Sequence, residues 1–116
     1  MRVRLRHLAH VRSGDKGDTV NVLVAAYADD LYPILVDQVT AARFHEHYAG
    51  RVKGPVTRFE VPAVCMLNFV AAGALGGGVS RSLNLDNYGK ALSSALLSLE
   101  LDVPDDLVSQ LVGPLP

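Results

Sequence analysis

The chain has 116 residues, of which 49% are hydrophobic, and its 11 basic and 12 acidic side chains leave a formal net charge of −1. A chain of this length buries roughly 65% of the surface that its unfolded form exposes, which suffices for one core and excludes two independent domains. We therefore predict a single domain over residues 1–116. Because the net charge creates no global field toward nucleic acid or anionic lipid, we predict neither as a partner.

The first quarter of the chain predicts two strands joined by a polar loop. Arginines alternate with Val3, Leu5 and His7 along residues 2–10, which is the period of a strand with one buried face. Residues 12–19 are dense in turn-forming glycine and aspartate, so we predict a loop there. Residues 20–27 are β-branched and apolar and predict a second strand buried on both faces.

The next segment predicts two helical pieces that meet at a kink. Apolar residues recur every three or four positions over residues 30–39, as on one face of an α-helix. Thr40 is then placed as the N-cap of a second piece over residues 41–48. Val39 and Phe44 occupy the two positions of a hydrophobic staple around that cap.

The second half of the chain predicts two further strands with a helix between them. Residues 56–61 alternate as a third strand, and the apolar run 63–75 has the offsets of a helix. Alternation returns over residues 79–85, the predicted fourth strand.

Two more helices are predicted near the C-terminus. One is capped by Asp86 or Asn87 and extends to Leu99, and a short last helix covers residues 105–112. The whole order predicts an α+β fold, a two-layer sandwich in which a four-stranded mixed sheet is covered by helices.

The compartment is predicted from the single cysteine and from the lack of targeting segments. Cys65 has no partner within the chain for a disulfide, and in its apolar surroundings we expect it to behave as a small buried hydrophobe. The N-terminal residues alternate charge with apolar side chains and match no signal peptide. No run approaches the ~18 apolar residues of a membrane span, so we predict a cytoplasmic protein.

The predicted loop carries the first of two polar constellations. It places the cations of Arg12 and Lys16 beside the carboxylates of Asp15 and Asp18. Such opposite charges can hold one another in place and leave Lys16 or Asp18 to bind a substrate anion or transfer a proton. The alternative is a solvated loop whose aspartates cap turns and pair with neighbouring cations.

The second constellation is rich in glycine. Gly76, Gly77 and Gly78 stand shortly before Arg81, and consecutive glycines let backbone N–H groups converge on an anion. The segment matches neither the Walker A loop nor the dinucleotide-binding fingerprint, and we predict no cofactor. The alternative is a flexible connector between a helix and a strand.

Histidine and asparagine positions complete the survey of polar residues. His45 and His47 lie two positions apart, on different faces of the predicted helix, so no metal site is predicted. Asn68 stands inside the apolar run 63–75, where it is a candidate buried polar group that must find a partner in the polar loop or in its own helix.

Several short motifs follow one another along the chain in a fixed order. They are Ser13-Gly14-Asp15-Lys16-Gly17-Asp18-Thr19 with Asn21, then Leu67-Asn68-Phe69-Val70, then Gly73-Ala74-Leu75-Gly76-Gly77-Gly78, then Arg81-Ser82-Leu83, Asp86 and Gly89-Lys90-Ala91-Leu92. With these motifs the chain resembles the C-terminal, ferredoxin-like domain of acyclic terpene utilisation (AtuA) family proteins. In that family the domain usually follows a much larger N-terminal domain. The resemblance therefore implies a stand-alone version whose larger companion is a separate polypeptide.

The resemblance also implies a setting in the acyl-CoA catabolism of branched or terpenoid acids. Our leading hypothesis is a small subunit of a two-component enzyme that acts on CoA thioesters, as a hydratase or related lyase. Asp15, Lys16 and Asp18 are the candidate catalytic residues, and the aspartates would orient or transfer a proton. The candidate residues for binding the substrate or an anion are Arg12, Ser13, Asn21, Asn68, Gly76, Gly77, Gly78 and Arg81.

Two other functions remain open at this point. The chain could be a non-catalytic assembly module that docks its companion through the face of Arg2, Arg4 and Arg6 or through a sheet edge. It could also be a free-standing homo-oligomer that binds a CoA ester or another anion.

Overall fold

The computed structural model describes residues 1–16, 19–48, 54–72 and 95–115 of the chain. The predicted fourth strand over residues 79–85, and the start of the helix capped by Asp86 or Asn87, lie outside these residues. The described strands are β1 (Arg2–Arg4), β2 (Ala9–Lys16), β3 (Thr19–Ala26), β4 (Val56–Val61), β5 (Met66–Ala71) and β6 (Glu100–Asp102). The helices are α1 (Tyr32–Gln38) and α2 (Ala41–His47), with 3₁₀-helices η1 (Leu5–His7), η2 (Asp29–Leu31), η3 (Pro62–Val64) and η4 (Asp105–Gln110).

Four of these strands form one antiparallel sheet in the order β2-β3-β5-β4. The predicted α+β architecture with a four-stranded sheet is confirmed. The prediction of a mixed sheet is wrong, because every described pairing is antiparallel. Strand β5, which lies between β3 and β4 in the sheet, comes from a segment that was predicted as a helix. Because β5 is a strand of this sheet, the order and the relative directions of the strands differ from the prediction.

The core lies between one face of this sheet and the helices. Val20, Val22 and Val24 of β3 are fully buried, and so are alternate residues of β5. The α2 residue Phe44 stacks on Phe69 of β5 with ring centroids 4.7 Å apart. Alternate burial along each strand therefore leaves a second face of the sheet outside the core.

The predicted kink between the two helical pieces is confirmed. The Thr40 hydroxyl accepts a hydrogen bond from the Arg43 amide at 3.1 Å, and the staple residues Val39 and Phe44 are fully buried. Arg58 of β4 donates to the carbonyls of Val36 and Val39 at 2.7 and 2.9 Å. These carbonyls at the end of α1 have no partner within the helix, and a cation is favoured there.

The N-terminal strand is shorter than predicted. Residues 2–10 divide into β1, η1 and the start of β2, although the predicted alternation of buried Val3, Leu5 and His7 with exposed arginines is correct. The break arises because β1 pairs with β6 in a separate two-stranded sheet. The 3₁₀-turn then carries the chain from this small sheet to the four-stranded one.

The predicted polar loop at residues 12–19 is largely a strand. All of Ala9–Lys16 pairs with β3, so residues 12–16 of the predicted loop belong to a strand. The misleading signal is Gly14. A Cβ at this position would lie 2.8 Å from the Oδ1 atom of Asn21, so Gly14 is required for a close side-chain approach rather than for a turn.

The predicted helix over residues 63–75 is also wrong. This segment forms η3 and then β5, in which buried residues alternate with half-buried ones. A short apolar run fits a buried helix and a central strand equally well by periodicity. Pairing with β3 on one side and β4 on the other decides for the strand.

The C-terminal region agrees in position with the prediction except for β6, a strand that the sequence did not predict. The short helix expected over residues 105–112 is the 3₁₀-helix η4. Residues 95 and 96 are helical, and Leu96 and Leu99 are buried as predicted. Within the described ranges, no helix is long and apolar enough to cross a membrane.

Candidate functional site

The face of the four-stranded sheet opposite α1 and α2 collects most of the predicted polar residues that the structure describes, and we call it the outer face. Strand pairing places residues that oppose one another on the same side of a sheet. Arg12, Leu23, Asn68 and Phe59 form one row across the strands. The outer face includes His10, Arg12, Gly14, Thr19, Asn21, Leu23, Ala25, Thr57, Phe59, Val61, Met66, Asn68 and Val70.

Three of the predicted site residues lie together on this face as a polar cluster, defined as Arg12, Asn21 and Asn68. Asn21 is a diagonal neighbour of Arg12 on one side and of Asn68 on the other. Diagonal neighbours of antiparallel strands are about 7–8 Å apart, within reach of long side chains. The strands thus bring together residues that are 56 positions apart in sequence (12 to 68).

Asn68 is the most unusual member of the cluster. Its Oδ1 atom is buried and has no hydrogen-bond partner among the described residues. Its neighbours in the row are Leu23 and Phe59, whose side chains offer no donor. A buried acceptor without a partner costs about 1–3 kcal/mol, so a donor from outside the chain would find a favourable site here.

Asn21 is held over β2 by the space that Gly14 leaves. The two residues are directly opposed in the ladder, and the Asn21 amide occupies the volume that any larger residue at position 14 would need. Gly14 is therefore a positioning residue for Asn21. Sequence reasoning placed Gly14 in a turn and so missed this role.

Arg12 is exposed and makes neither an ion pair nor a hydrogen bond with the described residues. A guanidinium with this freedom is available to a carboxylate or phosphate.

The other predicted site residues do not all share the outer face. Ser13 is opposite the buried Val22, and therefore lies on the helix-covered side. The backbone of Asp15 pairs with Val20, and that of Lys16 pairs with Thr19. The remaining candidates lie outside the described residues: Asp18, Gly76, Gly77, Gly78 and Arg81.

An apolar rim, defined as Phe59, Val61 and Val64, borders the outer face along β4 and η3. These side chains are 52%, 39% and 57% exposed. They did not feature among the sequence-based candidates, although Thr57, Phe59 and Val61 alternate with the residues that face the helices. A single exposed apolar side chain is common on protein surfaces, whereas several neighbouring ones indicate an interaction surface.

Cys65 adjoins the rim and differs from its predicted character as a buried hydrophobe. It is half-buried, and its backbone is left-handed with φ of 54°. Its thiol donates to Asp29 Oδ1 at 3.4 Å. Desolvation, and then the hydrogen bond to Asp29, raise the pKa of this thiol above its ordinary value, which keeps it protonated and weakly nucleophilic.

His47 and Ser98 are close enough to suggest a nucleophile and base, but their hydrogen bonds assign them another role. The Nε2 atom of His47 is 2.8 Å from the Ala95 carbonyl and 3.4 Å from Ser98 Oγ. Ser98 Oγ itself donates to Ala95 O at 2.7 Å. Since a carbonyl accepts only from a protonated nitrogen, Nε2 carries a hydrogen and is not a base for Ser98.

Metal ligands are not grouped in the part of the chain that the structure describes. No three histidine, cysteine, aspartate or glutamate side chains there are placed to hold one ion.

The class of protein follows from these features: a small α+β domain with an antiparallel sheet, one face packed on helices and the other carrying a polar cluster with an apolar rim. A family model described as the AtuA ferredoxin-like domain matches residues 3–102, and the chain belongs to this family. No curated protein and no solved structure matches the chain. The resemblance expected from the motifs is confirmed.

Proposed function

We propose that this chain is the small subunit of a two-component enzyme whose larger subunit is an AtuA-type chain. In this proposal the polar cluster binds an acyl-CoA thioester of a branched or terpenoid acid, and the assembled enzyme adds water across its double bond or catalyses the reverse elimination. Membership of the AtuA ferredoxin-like domain family supports this setting. The observation that carries the proposal is the buried, unpartnered Oδ1 of Asn68.

The chemistry of a CoA thioester suits the cluster. Its pantetheine arm is a flexible chain in which methylene groups alternate with two amides, and one amide N–H can donate to Asn68 Oδ1. Leu23 and Phe59 flank Asn68 in its row and offer apolar contact to the chain. Arg12 lies one strand beyond Leu23, and its guanidinium can bind a carboxylate or phosphate of the substrate.

The proton transfers of a hydration are assigned to Asp15, near the end of β2, or to Asp18. Asp15 or Asp18 would orient the water or exchange a proton with the substrate carbon, and Lys16 would bind developing negative charge. Further hydrogen bonds to the substrate anion would come from Gly76, Gly77, Gly78 and Arg81. Lys16→Ala and Asp18→Ala are therefore expected to reduce turnover of the assembled enzyme, and unchanged turnover in both variants would show this assignment to be wrong.

Native mass spectrometry of the protein isolated gently from its source tests the partner. A stable complex with a larger chain is expected. Steady-state hydration of a 3-methyl-branched enoyl-CoA by that complex then tests the cluster. Asn68→Leu and Arg12→Gln should each lower kcat/KM about 10- to 100-fold, as expected for loss of one hydrogen bond to a polar or charged group. Ser109→Ala, at an exposed position of η4, is the control.

A second candidate function is a non-catalytic assembly module, and the apolar rim favours it. Phe59→Asp would then weaken association with the larger chain, whereas Val112→Asp, at another exposed apolar position, would not. If Phe59→Asp disrupts the complex while Asn68→Leu leaves turnover unchanged, the chain is an assembly module. If the isolated protein is only a homo-oligomer, both subunit functions are wrong and a free-standing anion-binding protein is favoured.

A further inference from the structure

A second cationic site lies away from the outer face, between the N-terminal segment and the C-terminal tail. A cavity of about 500 Å³ is lined by Arg2, Arg4 and Arg6, by Glu100, which pairs with Arg2, and by residues 112–115. We propose that this cavity binds a small oxyanion that carries two or more negative charges, as a phosphate ester does. The proposal uses none of the residues of the polar cluster and does not depend on the proposed function.

The arginines reach this cavity because of how the N-terminal segment alternates. Val3 of β1 is 2% exposed, and Leu5 of η1 is fully buried. Burial of these side chains leaves Arg2, Arg4 and Arg6 exposed. Hydrogen bonds from the Leu5 and Arg6 amides to the carbonyls of residues 99 and 97 fix the backbone that carries them.

The three arginines are not equivalent in charge. Arg2 is compensated, since its Nε lies 3.2 Å from Glu100 Oε1 and its Nη1 lies 3.2 Å from Asp102 Oδ1. These contacts also raise the pKa of Arg2. Arg4 and Arg6 make no ion pair or hydrogen bond with any described residue. Two uncompensated cations on one cavity wall repel each other, and a dianion would remove that repulsion.

The opposite wall is held in place by His7. This side chain is 7% exposed, and its Nδ1 is 2.7 Å from the Val112 carbonyl. The Val112 amide donates back to the His7 carbonyl at 3.0 Å. Gly113 then turns the chain with φ of +84°, a conformation that L side chains rarely adopt. The tail is therefore docked against η1, and the cavity is formed before a ligand arrives.

The lining indicates the kind of ligand. Guanidinium groups match the geometry of phosphate and carboxylate oxygens through paired N–H donors. Val112, Pro114 and Leu115 form an apolar side of the cavity, which suits the body of a small organic molecule. The volume lies within the roughly 300–1,000 Å³ typical of ligand pockets. A phosphate ester and a dicarboxylate share this chemistry.

Calorimetric titration of the purified chain at constant ionic strength tests the proposal, with inorganic pyrophosphate in one arm and succinate in the other. Saturable binding of at least one anion is expected. The double variant Arg4→Gln/Arg6→Gln should weaken it by about tenfold or more, since it removes the charge-assisted hydrogen bonds. Arg58→Gln removes one cation on β4, outside both this cavity and the polar cluster, and should leave the affinity unchanged. Pyrophosphate preference identifies a phosphate site, and succinate preference identifies a carboxylate site.

Amide chemical-shift changes provide a second readout that does not depend on affinity alone. Pyrophosphate or succinate should shift the amides of Arg4, Arg6 and Gly113, and circular dichroism of the double variant should show that it remains folded. Absence of saturable binding overturns the proposal, even if the double variant weakens association with a larger chain. Equal losses in Arg58→Gln and in the double variant also overturn it, because they indicate a general response to charge.

Discussion

The close approach of Asn21 to Gly14 can be measured as a coupling free energy. A Cβ at position 14 would lie 2.8 Å from Asn21 Oδ1, well inside the 3.4–4 Å of ordinary contact. In Gly14→Ala the amide must rotate away, which costs about 1 kcal/mol, the low end for overpacking because only a side-chain end moves. Alanine offsets this by about 0.5–1 kcal/mol, since glycine is the less favourable residue within a strand.

The single variant should therefore change the free energy of unfolding by less than about 0.5 kcal/mol. In an Asn21→Ala background the clash is absent, and Gly14→Ala should raise the free energy of unfolding by about 0.5–1 kcal/mol. Urea denaturation of the wild type, both single variants and the double variant gives the coupling, expected at about 1 kcal/mol.

Gly113→Ala is the control for this cycle. Its backbone φ of +84° strains any L side chain, so it should cost about 1–2 kcal/mol with or without Asn21. If Gly14→Ala has the same effect in both backgrounds to within about 0.3 kcal/mol, the two side chains do not compete for space and the positioning role of Gly14 is refuted.

Three further predictions follow from contacts described above. Asn68→Leu should raise the free energy of unfolding by about 1 kcal/mol, since it removes a buried acceptor without a partner, and a destabilised variant in urea titration would contradict this. Thr40→Ala should lower the thermal midpoint through loss of about 1 kcal/mol of capping, while Thr40→Ser should retain most of it; equal losses would argue against the cap. Because its pKa is raised, Cys65 should react with iodoacetamide more slowly than an unfolded thiol at about pH 8. Asp29→Asn should lower that pKa and speed the reaction, whereas Asp30→Asn should not.

The helical part of the fold could be predicted because its signals are local. Thr40, Val39 and Phe44 specify a cap and staple within six residues, and all three act as expected. Asn68 was expected to be a buried polar group with a partner; its Oδ1 is buried, but it lies in a strand and has no partner among the described residues. A helix cap and a hydrophobic staple are defined by fixed offsets between nearby residues, and these offsets can be read from a single sequence.

The sheet was harder to predict because its decisive interactions are distant in sequence. Gly14 indicates a turn by local rules, but its reason for being glycine is the side chain of Asn21 across the ladder. Met66–Ala71 has helical offsets, but pairing on both edges makes it the strand between β3 and β4. The polar cluster depends on that strand, so its members could be named from motifs while their common face could not.

The pairing of β1 with β6 has a consequence for the order of folding. Its partners are separated by about 100 positions, as between Arg2 and Asp102, whereas β2 and β3 are joined by a short connection. Closing a long loop costs more chain entropy than closing a short one, and such contacts form slowly. The hairpin is therefore expected to form early, and the small terminal sheet to close last and open first in native-state hydrogen exchange. The pairing of β1 with β6 therefore joins the two distant segments of the domain only after the four-stranded sheet has formed.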